Sequence, residues 1–355
     1  MSASDEARAA GGADERRTEN GDERRPQGDD ERRRRGAEAA AAELGARLRA
    51  GDLGAAPAAL NLLENRSPAR RGEIAALLAE VAPGRLGGEA PAHVVGVTGP
   101  PGAGKSTLLS ALVRVWRERG RTVGVLAVDP SSKRSGGALL GDRARIDADP
   151  SDRGVFIRSM AAGERLGGLA PATRAGSQAL AAAFDVVVVE TVGVGQSETE
   201  VAEAADTVAV VVQPGSGDVL QFLKAGIMEV PDVLVVTKAD LGAVADRAVR
   251  DLRAALRSLG GGAPVVAVSS IHPVAGIEEL ADAVDEHRAR LDLGTARTRA
   301  RRLGALADYV AEHGERGLRA LGGRRAGERF LAEQDPALEG PALVRALEAR
   351  AAEPR

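Results

Sequence analysis

Residues 93–108 read HVVGVTGPPGAGKSTL, an apolar run at Val94, Val95 and Val97 that passes through G-x-x-x-x-G-K-S into a helical pattern. Gly99, Gly104, Lys105 and Ser106 hold the four required positions, with Pro100, Pro101, Gly102 and Ala103 between the glycines and Thr107 after the serine. A Gly-rich turn lets successive backbone N–H groups point inward around phosphate oxygens, while the lysine ammonium bridges phosphate charge and the Ser106 hydroxyl ligates Mg2+. A helix starting near Lys105 adds its positive dipole end to the same anion site. Strand, loop and helix together predict a P-loop.

Outward from this loop, short β-rich runs alternate with helical patterns at Thr122–Val128, Val155–Ile157, Val186–Val189, Thr207–Val212, Val233–Val236 and Val265–Val268. Continuous Val-rich runs between helices predict an α/β P-loop NTPase fold, its mostly parallel sheet covered by helices on both faces. Ligand loops then belong at the carboxyl ends of the strands.

The strand ending at Val189 delivers Glu190, followed by Thr191-Val192-Gly193, the arrangement of an acid that organises Mg2+ and a glycine able to follow a γ-phosphate. Asp129 follows Val128 in DPSS, and Asp142 lies beyond it in SGGALLGDR; each carboxylate suits either the metal or a helix cap. The run Val233–Val236 delivers Thr237-Lys238-Ala239-Asp240, a T-K-x-D version of the guanine-reading N-K-x-D. Its aspartate can accept hydrogen bonds from both N1–H and the 2-amino group, which adenine cannot supply, while the lysine stem covers the base. Ser269 and Ser270, after the last strand, stand where a base pocket would close.

Of 48 basic residues only Lys105, Lys133, Lys224 and Lys238 are lysine. The planar guanidinium cannot replace a compact ammonium inside a tight phosphate loop, so lysine is kept where a point charge is needed. The chain has 355 residues, 44% of them hydrophobic, enough for one large core, and its net charge of −3 gives no electrostatic case for nucleic acid or membrane. Absence of cysteine excludes a disulfide framework and fits a cytoplasmic protein. The four histidines lack metal-ligand spacing, and no apolar run reaches the ~20 residues needed to span a bilayer.

Residues 1–36 repeat DERR at Asp14, Asp22 and Asp30 with almost no large apolar side chain, which predicts a disordered mixed-charge tail. Its ten acidic residues argue against a transit peptide. A helical region over 37–90 and a GTPase domain over 91–292 follow. A helical region over 293–355, with Leu303, Leu306 and Val310 and later Leu343 and Leu347 at helical spacing, completes the chain.

The blocks GPPGAGKSTL, AVDPSS, SGGALLGDR, VFIRSMA, LGGLA, ETVGVGQSE, QPGSGD and TKADL, in that order, resemble the methylmalonyl-CoA mutase-associated GTPases of the MeaB/ArgK type over about residues 40–320. The resemblance implies a Mg2+-dependent GTPase that binds GTP and GDP and serves as chaperone for an adenosylcobalamin-dependent acyl-CoA mutase, gating cofactor loading and protecting the mutase. It implies metal and hydrolytic roles for Asp129, Asp142 and Glu190, an additional switch in the segment from QPGSGD through Gln221 to Lys224, and a homodimer formed by the C-terminal helices. Thr237 stands where the family has Asn, which predicts fewer bonds bracing the P-loop, and Ser270 stands where Ala is common. A metal-insertion GTPase fits less well, since Cys and a His-rich tract are absent, and a small-molecule or protein kinase would have no use for Asp240 as a guanine reader.

Overall fold

Among the described residues seven short strands, most of them Val-rich, form one sheet: β1 (His93–Thr98), β2 (Val123–Asp129), β3 (Val155–Ala161), β4 (Val186–Thr191), β5 (Thr207–Val212), β6 (Val233–Val236) and β7 (Val265–Ala267). Their order is β3-β2-β4-β1-β5-β6-β7 and every pairing is parallel. The computed structural model describes residues 27–129, 146–161, 170–191, 201–202, 204–215, 231–258 and 260–353. Helices α1 (Gln27–Arg49), α2 (Ala56–Leu63), α3 (Arg71–Glu80) and α4 (Pro83–Leu86) precede the sheet. Then α5 (Lys105–Glu118), α6 (Pro171–Ala181) and α7 (Ala243–Ser258) lie between its strands, and α8 (Ile277–Ala289), α9 (Leu293–Ala320), α10 (Arg324–Ala332) and α11 (Gly340–Ala352) follow it.

Because side chains alternate across a strand, β1 feeds two cores. Val94 packs with Leu126, Leu180 and Phe184 and with Leu60, Leu63, Leu77 and Leu78 of α2 and α3. Val95 and Val97 face the other way, onto Leu108, Leu112 and Trp116 of α5 and Leu280 and Val284 of α8. Trp116 is fully buried there, so truncating it to alanine would cost about 3–5 kcal/mol. Gly96 sits between them without a side chain; a Cβ would lie 2.7 Å from Val201 Cγ2. The helices of 37–90 thus share the sheet's core, and residues 37–355 form one compact unit, with 1–36 a second. Helix α1 begins at Gln27, inside the stretch expected to be a disordered tail, and carries an Arg35–Glu31 pair at 2.6 Å one turn apart. That correction has a local cause: acids and arginines four residues apart support a helix as well as they support solvation.

Beyond the sheet, Leu306, Tyr309, Leu321, Leu331, Leu343 and Leu347 build a third cluster between α9, α10 and α11. Helix α9 is broken at Gly314 (φ 61°, ψ −161°), where the Tyr309 hydroxyl donates to Gly317 O at 3.2 Å.

The amino ends of the strands carry a buried polar network. His287 Nε2 lies 3.1 Å from Asp232 Oδ1. His287 Nδ1 and His93 Nε2 each lie 2.8 Å from Thr207 Oγ1, which links the two rings. His93 Nδ1 lies 3.9 Å from Asp285 Oδ1. Burial pushes the His93 imidazole below its ordinary value. Burial alone would raise Asp285, but the nearby His93 and the Arg121 guanidinium, which donates to it at 2.7 Å, bring its carboxyl down to about 2. Beside them Arg297 holds Asp206 through two bonds of 2.8 and 2.5 Å and reaches the Ala90 and Ala92 carbonyls, each at 2.6 Å. Asp206 also accepts from Val94 N at 2.8 Å.

Candidate functional site

The β1–α5 connection, residues 99–104, sits at the carboxyl end of β1 in the middle of the sheet. Its path requires glycine: Gly99 has φ 146° and a Cβ there would lie 2.1 Å from Val211 O, while Gly102 and Gly104 have φ 78° and 88°. Lys105 opens α5 and is buried; its Nζ donates to Gly99 O at 2.7 Å and Pro100 O at 3.2 Å. The ammonium is thereby folded over the loop whose phosphate cradle it would complete. Pro101 and Gly102 are exposed at the loop's tip, Ala103 is buried beneath it, and Ser106 and Thr107 follow in the first turn of α5.

Glu190 is the penultimate residue of β4 and is only 3% exposed, opposite Val97 of β1 and Ala127 of β2. Ser106 Oγ donates to its Oε1 at 3.3 Å. A hydroxyl and a carboxylate adjoining at a strand end form an all-oxygen donor set, which fits a hard cation such as Mg2+. Behind them Thr191 Oγ1 donates to Thr98 Oγ1 at 3.0 Å and ties the ends of β4 and β1 together.

On the other side of the loop, Thr237 leaves β6 buried. Its Oγ1 donates to Ala103 O at 2.7 Å, with Val212 O at 3.2 Å as a second acceptor. Threonine therefore keeps the brace on the P-loop that asparagine was expected to supply better. Lys238 adopts φ 54°, the one positive φ of a non-glycine residue among the described residues, and its Nζ donates to Gln213 Oε1 at 2.6 Å, with Gly102 O at 3.5 Å. Asp240 is exposed beside Ser269, whose Oγ lies 3.3 Å from Asp240 Oδ1 and donates to Ile271 O at 2.9 Å. Ser270 follows, half-buried.

The structure thus gathers Lys105, Ser106, Glu190, Thr237, Lys238 and Asp240 around one loop. Asp129 ends β2, with its side chain outside the described residues, and Lys133, Asp142, Gly193, Gln221 and Lys224 lie outside them altogether. Gln213 was not singled out in the sequence; its one signal is its place directly after a strand end, opening Q-P-G-S-G-D.

A family model described as "Methylmalonyl Co-A mutase-associated GTPase MeaB" matches residues 56–316. A Pyrococcus abyssi protein provisionally named a GTPase is 45% identical over 70% of this chain and 76% of its own. The GTPase ArgK of Escherichia coli is 42% identical over 57% of this chain and 60% of its own. The mouse methylmalonic aciduria type A homolog, a mitochondrial protein, is 43% identical over 41% of this chain and 35% of its own. A crystal structure described as a LAO/AO transport system kinase superposes with a TM-score of 0.60 at 29% identity, covering 83% of this chain and 97% of that one.

Proposed function

The chain belongs to the MeaB family of methylmalonyl-CoA mutase-associated GTPases, and from that premise we propose that it is a Mg2+-dependent chaperone GTPase for an adenosylcobalamin-dependent acyl-CoA mutase. The observation that carries the guanine-nucleotide part is the contact between the two motifs. Thr237 holds the Ala103 carbonyl and Lys238 reaches Gly102, so a base reader is built directly onto the phosphate cradle.

In this reading the loop amides between Gly99 and Lys105 take the β-phosphate and Lys105 exchanges its carbonyl partners for phosphate oxygens. Asp240 accepts from the guanine edge, while the Lys238 stem covers the base. Ser106 and Glu190 would hold Mg2+, with Asp129 and Asp142 as further carboxylates; bound there, the ion would offset charge developing on the phosphates. Gly193 and Lys224 would report the γ-phosphate to the partner. The mutase partnership rests on the family's description and on the name of the mouse relative, and pairing of two copies through the C-terminal helices rests on the resemblance.

The deciding experiment measures GTP turnover with and without purified mutase, alongside capture of the native protein's partner in the presence of a non-hydrolysable GTP analogue. Stimulated turnover and recovery of the mutase are expected. GTP hydrolysis that no adenosylcobalamin-dependent mutase alters would sink the chaperone reading and leave the GTPase intact.

A further inference from the structure

At the carboxyl end of β5 the register sets Val212 opposite Val236, so Gln213 leaves the sheet beside Thr237 and Lys238. Val212 O accepts from Thr237 N at 3.0 Å. One residue further, Lys238 Nζ donates to Gln213 Oε1 at 2.6 Å. The ammonium is a donor only, which fixes the oxygen of the Gln213 amide as its partner. The other acceptor near it, Gly102 O, is at 3.5 Å, the outer edge of hydrogen bonding. Lys238 is exposed and its backbone is left-handed, a conformation disfavoured for a side chain of this kind. An exposed lysine has four flexible bonds; without a fixed acceptor its stem would sample many rotamers, and a ligand needing one of them would bear the ordering cost on binding.

We infer that Gln213 is a positioning residue for guanine-nucleotide binding, its amide oxygen holding the Lys238 ammonium so that the lysine stem is in place for the base. This rests on the reading of Thr237-Lys238-Ala239-Asp240 as the base site. Gln213 touches no reacting atom in this arrangement. Its effect is expected in affinity and not in the chemical step.

The test uses the full chain with a fluorescent GDP analogue for Kd, GTP turnover for KM and kcat, and thermal melting as the control for folding. Gln213→Ala is expected to raise Kd and KM three- to tenfold, the size of one partly exposed, charge-assisted hydrogen bond, with kcat within twofold and an unchanged Tm. Gln213→Glu keeps an oxygen for the ammonium and is expected to return Kd to within twofold of the natural chain. In a Lys238→Ala background, adding Gln213→Ala is expected to have no further effect. Equal affinity in Gln213→Ala where Lys238→Ala weakens binding, additive losses in the double variant, or failure of Gln213→Glu to rescue would each overturn the inference alone. Unchanged affinity in Lys238→Ala would overturn the base-site reading and the inference with it.

Discussion

The two ends of the sheet are both polar and both built on β1, yet they differ in what holds their central groups. At the amino end, His93, Thr207, His287, Asp206 and Arg297 pair side chain to side chain. At the carboxyl end the loop is held mainly through backbone carbonyls, with Lys105 on Gly99 and Pro100, Thr237 on Ala103 and Lys238 on Gly102. Partners committed to one another resist exchange. Carbonyls and glycines leave amides and ammonium groups able to trade a protein partner for a phosphate. One end is therefore organised to persist and the other to be re-paired by a ligand.

The sharpest way to break this contrast is Lys105→Ala, expected to lower GTP turnover more than a hundredfold, about 3 kcal/mol or more of transition-state stabilisation, while Tm stays put. Turnover above a tenth of the natural rate would contradict it. At the opposite end Arg297→Ala leaves the buried Asp206 carboxylate with Val94 N as its remaining described partner. We expect a stability loss of about 3 kcal/mol in denaturant unfolding, with kcat unchanged in the folded fraction; a fall in kcat with full stability would reverse the assignment of roles.

Smaller effects sharpen it. Thr237→Val keeps the shape but leaves Ala103 O without its hydroxyl donor, which should weaken GDP binding by about 1–2 kcal/mol, measured by equilibrium titration. Equal binding would show that the brace is idle. The smallest effect is His93→Gln. Because burial lowers the folded-state pKa of His93, the unfolded chain takes up this proton first. Stability is thus complete above the ordinary value of about 6.5 and falls as pH drops below it. The natural chain should lose more stability than the variant between pH 7.5 and 5.5, and identical slopes would remove His93 from the effect. Asp285 acts in a separate window, losing its contribution only between about 4 and its own value near 2.

The sequence and the structure agree best where information is local. The Val runs 186–189, 207–212 and 233–236 appear as strands because both faces are buried, and GPPGAGKS folds as a phosphate loop because Gly99, Gly102 and Gly104 alone tolerate its dihedrals. The His93–Thr207–His287 chain was illegible because its members come from three elements and meet only through sheet register. The Gln213–Lys238 contact was hidden for the same reason. Helix α1 was missed at Gln27 because a charge-rich stretch without apolar periodicity carries no burial signal. The roles read for Asp129, Asp142, Gly193 and Lys224 rest on motif order and resemblance.

The strand order has a consequence for how this chain is made. β1 emerges from the ribosome first, yet its neighbours are Val186–Glu190 on one side and Thr207–Val210 on the other, while the strand made next, β2, pairs with β3 and β4. The earliest sheet pairing open to a growing chain is therefore β2 with β3, at one edge, and β1 with its phosphate loop must wait until β4 has been made. Long-range parallel pairing of this kind is slow to form and exposes apolar strands meanwhile. A Val-rich β1 waiting unpaired makes the newborn chain dependent on shelter, and makes the ability to bind nucleotide one of the last properties it acquires.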